Sequence, residues 1–398
     1  MVAGSTLATL VVAALASLFM SWSIGAGSSG STPFAPAVGA NAISVMRAGF
    51  IVGVLGLSGA ILQGANVTEA VGTELVVGSV LTATASTVAL LVAAALVAIG
   101  VFAGYPIATA FTVTGAVVGV GLANGGGPAI AKYQQIVSLW VLTPFVGGGI
   151  AYGTARLLRN ESIPERTAVP VLGGVVGLLI ANIRFAALGG DGGRSLAEVG
   201  AAATPPIVLP VLDIDLGVAL VSGLFVAVAA ALVRREMNAD QARGQRRFLL
   251  VLGGLVAFSA GGSQVGLAIG PLVPLLDAVA VPLPALLVGG GLGLLVGSWT
   301  GAPRMIKALS QDYSSLGPRR SIAAMIPSFA IAQAAVALGI PVSFNEIIVS
   351  AIIGSGYAAG GAGVSREKMA KTALAWIGSL VLAFGVAYAT FAGFDALL

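Results

Sequence analysis

Apolar stretches about twenty residues long recur along the whole of this 398-residue chain, beginning at 6–24. A bilayer core of about 30 Å takes roughly 20 residues of helix, so such stretches are long enough to cross one. Composition closes off the soluble alternative. A soluble domain carries about 25% charged residues, because it needs polar surface to cover its core. Here 9% of residues are charged and 57% hydrophobic, with a mean hydropathy of +1.02. The chain therefore reads as an all-α, polytopic integral membrane protein. It has no cysteine and no histidine, which excludes disulfides, thiolate or imidazole metal sites, and Ser-His-Asp or Cys-His devices. An isoelectric point near 9.6 does not imply nucleic acid. The net charge is only +4, and the basic residues sit in short scattered loops.

Spans are expected near 5–24, 44–63, 75–102, 105–123, 133–156, 167–188, 212–233, 248–260, 283–300, 321–338, 341–360 and 373–393. The first is expected to be retained, because a signal peptide needs a basic leader and no Lys or Arg precedes Arg47. Loops 156–166, 234–247, 301–320 and 361–371 hold 15 of the 19 basic residues. Twelve spans put all four loops on one side, which the positive-inside rule makes cytoplasmic. Glu69, Glu74, Asp191, Glu198, Asp213, Asp215 and Asp277 fall on the opposite side. Both termini are then external, in the cell membrane.

The chain also repeats itself. Gly-Tyr-Pro-Ile-Ala-Thr at 104–109 resembles Gly-Ile-Pro-Val-Ser at 339–343, each after a long apolar helix. Trp140 has a counterpart in Trp376, and an interrupted stretch opening at Gly25 has one opening at Gly261. Pro106, Trp140 and Gly25 each find their counterpart 235 or 236 residues later. A five-span repeat is odd, so the second copy must be inverted, and two linking spans restore the topology. The expected organisation is a first repeat over 1–160, two linking spans with a basic loop over 161–247, and a second, inverted repeat over 248–398. Inverted repeats build many secondary transporters, whose site lies near the midplane where discontinuous helices meet. The competing explanation is that small-residue membrane helices resemble one another by composition.

Gly25-Ala26-Gly27-Ser28-Ser29-Gly30-Ser31-Thr32-Pro33 is the most informative segment. Its G-x-G-x-x-G spacing is no dinucleotide fingerprint, which needs a soluble βαβ unit. Glycines let the backbone leave a helix, and freed amides can face an anion. Ser28, Ser29, Ser31 and Thr32 add hydroxyl donors. Irregular backbone at membrane depth is tolerated only where protein buries it or it lines a watery cavity. The partner segment, Gly261-Gly262-Ser263-Gln264-Val265-Gly266, offers a hydroxyl and an amide. For either copy alone, a glycine kink for close helix packing competes, but a symmetric pair points to a transport site.

Gly289, Gly293 and Gly297, and Gly173 with Gly177, read as packing faces. Glu346 and Arg184 are expected inside spans, where an ionisable residue costs about 2.5–3.5 kcal/mol; Arg47 lies near a span end. Glu346 follows Pro341 within polar Ser343-Phe344-Asn345 and is expected at a cavity, whereas the arginines are expected to snorkel or pair. Thr109, Thr112 and Thr114 either line that cavity or bond their own helix.

These residues resemble the inorganic phosphate transporter (PiT) family, which includes sulfate permeases, over nearly the whole chain. Gly59-Ala60-Ile61-Leu62-Gln63-Gly64-Ala65-Asn66-Val67-Thr68-Glu69 is similar to the segment closing that family's second helix. Tyr105-Pro106 and Ile340-Pro341-Val342-Ser343 fall on its Pro-Val-Ser-Thr-Thr-His motifs. The segment from Gly261 to Pro271 falls on its Gly-Ala-Asn-Asp-Val-Ala-Asn-Ala-x-Gly-Pro motif, and Arg304-Met305 and Trp140 also fit. The departures are specific. The two signature Asn-Asp pairs become Gly27-Ser28 and Ser263-Gln264. Thr109 keeps the first Thr of its motif, with Ala110 and Phe111 following, while the other copy reads Phe344-Asn345-Glu346. Gly56 replaces the family's Glu. Both signature aspartates, which the resemblance ties to the cation and phosphate sites, are thus missing.

The resemblance implies an ion-coupled permease for inorganic phosphate, not an enzyme, with no cofactor beyond a coupling ion, sodium or proton. Lost carboxylates weaken hard-cation coordination and favour a fully ionised oxyanion, so sulfate with proton coupling is the second reading. Substrate binding is expected at Gly25, Gly27, Ser28, Ser29, Ser31, Thr32, Gly261, Gly262, Ser263, Gln264, Thr109 and Ser343, with Glu346 and Asn345 as coupling candidates. The alternative from another class is a non-transporting membrane sensor or scaffold. The partners expected are an inorganic oxyanion and the lipid bilayer; no nucleic acid is expected, and a homodimer is compatible with the sequence.

Overall fold

The computed structural model describes residues 4–78, 81–185, 188–189, 193–202, 207–209, 214–276, 281–361 and 364–396. In chain order the helices are α1 (Gly4–Gly27), α2 (Ala35–Gly39), α3 (Val45–Gln63), α4 (Ala65–Thr73), α5 (Ala83–Ala103), α6 (Thr109–Ala123), α7 (Ile130–Arg159) and α8 (Glu165–Ala181). Then come α9 (Leu196–Ala201), α10 (Leu216–Ala239), α11 (Gln241–Ile269, prolonged by a 3₁₀ turn, Gly270–Leu275), α12 (Leu283–Thr300), α13 (Ala302–Gln311), α14 (Pro318–Ala337), α15 (Phe344–Tyr357) and α16 (Arg366–Asp395). Strand structure among the described residues is confined to three two-residue antiparallel ladders between loops. Nine described helices are long and apolar enough to cross a membrane, so the protein is a multi-pass, all-helical membrane protein.

Each expected span meets a helix, but three of those helices are short. α8 has 17 residues, α6 has 15 and α15 has 14. The last two are short for the same reason. Gly104 (φ 73°) ends α5 and Gly339 (φ 59°) follows the end of α14, both in the left-handed region that glycine enters without strain. Pro106 and Pro341 follow, each lacking an amide hydrogen and holding the residue before it extended. Helix resumes only at Thr109 and Phe344.

Four expectations need correction. The stretch 75–102 is not one span: Val76–Val77 pairs with Gly127–Pro128, and α5 starts at Ala83, where the Thr82 hydroxyl accepts the Ala85 amide. The segment at Gly261 is not a break, because α11 runs unbroken to Ile269. The basic segment 234–247 is helical on both sides of Asp240, whose extended backbone (φ −157°) separates α10 from α11. Arg184 lies beyond the end of α8, on a ladder with Ser195, and pairs at 3.0 Å with Glu198. A bare arginine inside a span would be costly; outside it, the pair is exposed. Asp191, Asp213 and Asp277 lie outside the described residues.

Close backbone approach organises the centre. α1 packs on α5 and α12, and α11 packs on α3 and α14. A Cβ at Gly25 would stand 2.2 Å from the Leu294 carbonyl oxygen, and one at Gly261 would stand 1.9 Å from that of Gly56. These glycines therefore let two helices touch along their backbones. Gly177 and Gly297 likewise abut the Phe225 and Trp22 carbonyls, Gly173 and Gly293 abut the Val233 and Ser21 side chains, and a Cβ at Gly289 would meet nothing within 4 Å. At the periphery α6 packs on α16 and α15 on α7. The Trp140 indole donates to the Pro341 carbonyl (3.0 Å) and the Trp376 indole to the Pro106 carbonyl (2.8 Å).

Candidate functional site

The interrupted end of α1, the continuous helix α11 and two short helices meet at the buried centre. α1 ends at Gly27, and the Ser28 and Ser29 amides both donate to the Ile24 carbonyl as the chain leaves the helix. Opposite it, α11 passes through as continuous helix and carries Ser263 and Gln264. α6 and α15 begin here. Their N-cap residues, Ala108 and Ser343, are extended and make no side-chain cap. A helix start leaves amides unsatisfied and carries the positive end of the helix dipole.

Gln264 ties these elements together. Its Oε1 accepts from the Thr109 hydroxyl (2.7 Å) and the Ser28 hydroxyl (3.1 Å), which lie 3.5 Å apart. Its Nε2 donates to the Val342 carbonyl (2.7 Å). Next along, Asn345 donates to the Gly27 and Ile107 carbonyls (2.9 and 2.6 Å). One amide therefore clamps α11 to both Pro-bearing connections, and a second clamps α15 to the end of α1. Ser263 Oγ, Ser343 Oγ and Asn345 Oδ1 are buried with no hydrogen-bond partner. An unpaired buried polar atom costs about 1–3 kcal/mol, so these are the atoms with most to gain from a ligand.

Of the expected site residues, Ser28, Thr109, Gln264 and Asn345 are tied in here by hydrogen bonds, and Ser263 and Ser343 are buried on the same elements. Ser29 is buried beside them at 2% exposure. Ser31 and Thr32 point elsewhere: both hydroxyls donate to the Ser28 carbonyl (3.1 and 3.0 Å) and seal the end of α1. Gly25, Gly27, Gly261 and Gly262 contribute close backbone approach, since a Cβ on any of them would come within 3 Å of a neighbour. Thr112 donates to its own helix, at the Ala108 carbonyl. Glu346 takes no part in the Ser28–Gln264 contact. Its side chain lines a separate cavity bounded by α7, α15 and α16. It is also the one charged side chain among the described residues that is buried, so the junction itself is neutral and rich in donors.

A second polar cluster was not anticipated. Gln333 donates to the Ser259 hydroxyl (2.6 Å) and pairs with Gln63 (3.2 Å), which also reaches the Arg184 carbonyl (3.1 Å). Gln333, Gln63 and Arg184, with Asn66 and Asn182, line a cavity of about 260 Å³. The signal was present: Gln63 and Asn66 are amides at span ends, and Gln333 interrupts an apolar helix.

The chain and its fold have counterparts among known proteins. A relative from Thermococcus kodakarensis, named as a candidate phosphate permease, is 25% identical across 94% of this chain and 96% of its own length. One from Pyrococcus abyssi with the same kind of name is 26% identical across 92% of this chain and 93% of its own. A solved structure described as the sodium-dependent phosphate transporter superposes with a TM-score of 0.80 at 22% identity, covering 98% of this chain and all of that one. The model of the phosphate transporter family matches residues 7–387. By that match, which runs through both short helices and the junction between them, the chain belongs to the phosphate transporter family.

Proposed function

We propose that this chain carries inorganic phosphate across the cell membrane as an ion-coupled symporter. The observation that carries the reading is the convergence of two uncapped, buried helix starts on Ser28, Thr109 and Gln264, with the Ser263 and Ser343 hydroxyls free. Helix starts and hydroxyls supply donors to an oxyanion, and among the described residues no acidic side chain joins the Ser28–Gln264 contact. The names of the relatives agree.

The proposed architecture is twelve spans, as two inverted five-span repeats (1–160 and 248–398) joined by two linking spans (161–247). Supporting it, α6 and α15 match in length, entry and partner, and the two indole-to-proline carbonyl bonds are reciprocal. The ion pairs also join loops assigned to one side. Arg319–Glu165 and Lys368–Asp312 link basic loops, while Lys132–Glu74 links two loops on the acidic side. That sidedness leaves both termini external.

Coupling to sodium or to a proton is proposed with Glu346 and Asn345 as the candidate groups, Glu346 as a carrier of the proton and not of a metal ion. The second reading, sulfate, is favoured by one observation: among the described residues the junction has no carboxylate to take the proton of a phosphate monoanion. Uptake of radiolabelled phosphate and sulfate into proteoliposomes, with and without sodium and proton gradients, tests both. Phosphate accumulation driven by either gradient is expected, with Ser28→Ala lowering it about tenfold at unchanged protein level, the cost of one lost donor to a charged group. Unchanged uptake of every oxyanion in Ser28→Ala sinks the site assignment. Sulfate exceeding phosphate selects the second reading, and silence for both selects the sensor or scaffold.

A further inference from the structure

Outside the junction, α7, α15 and α16 enclose a cavity of about 700 Å³. Glu346 lies in its wall at 2% exposure. Its Oε2 has no hydrogen-bond partner, and Glu346 enters none of the ion pairs among the described residues. Apart from Ser350 and the hydroxyls of Tyr152 and Tyr357, the rest of the wall is aromatic and aliphatic. Phe111 stacks on Trp140 with centroids 3.8 Å apart, and Trp376 stands in the same lining. Both indole N–H groups are already bonded to proline carbonyls, so these rings offer the cavity only their π faces and edges. At the mouth, Phe145 is 74% exposed and Ile377 59%. Both belong to spans, so the mouth opens where lipid covers the protein.

Three constraints define an occupant. It enters from the bilayer, so most of its surface is apolar. It carries positive charge, because a buried carboxylate without a partner is stabilised only by a cation or a proton brought from outside. It suits indole faces, which attract cations. A metal ion fails, because hard cations need about six oxygen ligands and this lining is largely apolar. Inorganic oxyanions fail on charge. We infer that this cavity binds a lipophilic organic monocation, its charge at the Glu346 carboxylate and its body against the Trp140 and Trp376 rings. The volume suits a molecule of drug size.

The test uses the purified full-length protein in nonionic detergent with tetraphenylphosphonium, and tetraphenylborate as the anion of the same shape. Saturable one-to-one binding of tetraphenylphosphonium is expected by equilibrium dialysis, with quenching of tryptophan fluorescence. Tetraphenylborate should show none. Glu346→Gln should weaken binding about tenfold or more, a change of roughly 1.4 kcal/mol. Gly149→Phe gives a second variant that leaves the carboxyl untouched. Gly149 lines the cavity and a Cβ there meets nothing within 4 Å, so the ring should fill the space and abolish binding. Thermal unfolding midpoints near the parent's certify both folds. Equal binding of the two ions, unchanged affinity in Glu346→Gln, or binding that survives Gly149→Phe overturns the proposal. So does an absence of saturable binding, which would leave the cavity to acyl chains or a second copy of the chain.

Discussion

Gln264 shows how much can rest on one side chain. Three elements reach it, and each of its bonds is to a neutral partner, worth about 1 kcal/mol net. Replacing it with alanine should lower stability by about 2–3 kcal/mol, because the bonds go and the Val342 carbonyl is left buried. Thr109→Val keeps the shape and removes one donor, so it should cost about 1 kcal/mol. If Thr109 also touches substrate, the same variant should lower phosphate uptake about tenfold or more, well beyond its effect on the unfolding midpoint. A parallel small loss in both would make the hydroxyl structural. The sequence made Ser28, Thr109 and Gln264 legible because each stands where the family motif has a polar residue. It could not separate them from Ser31 and Thr32. Those hydroxyls sit three and four residues after Ser28 and turn back to its carbonyl, a geometry that appears only once α1 ends at Gly27.

At the scale of helices, glycine carried two meanings that composition does not distinguish. Gly104 and Gly339 end helices, and their positive φ requires it. Gly261 does the opposite: it stays helical and lets α3 approach. A glycine inside a helix costs about 1 kcal/mol relative to alanine, which close packing offsets here. The contrast makes a sharp prediction. Gly261→Ala forces a methyl into the Gly56 carbonyl and should destabilise by about 1–3 kcal/mol, the range for overpacking. Gly289→Ala meets open space and should be neutral or stabilising by up to about 1 kcal/mol. Unfolding midpoints in one detergent decide it, and equal shifts would mean that α3 and α11 do not touch there. Runs of apolar residues revealed where helices lie, because span length is a local property. The break of α5 from Val76–Val77 was not legible, because the partner Gly127–Pro128 lies fifty residues on.

Across the whole molecule, sidedness is the property most accessible to test, and the chain is suited to it: it has no cysteine, so one introduced thiol reports alone. Sidedness was read from counts of Lys and Arg, a rule about insertion and not about contacts. The contacts are independent support. Arg319 meets Glu165 across 154 positions of sequence, and Lys368 meets Asp312, each within the side that charge counting calls cytoplasmic. Lys132 reaches Glu74 at 2.6 Å on the other. Surface pairs of this kind contribute at most about 1 kcal/mol, so they report topology and do not create it. Single cysteines at Ser162, Ser315 and Thr73, all exposed, should therefore separate. In intact cells a membrane-impermeant maleimide should label Thr73→Cys, and should reach Ser162→Cys and Ser315→Cys only after permeabilisation. The reverse pattern would invert the protein while leaving its repeats intact. Labelling of Ser162 and Ser315 from opposite sides would break the twelve-span count itself, since the elements between them, α8 to α13, must cross an even number of times to return the chain to the same face.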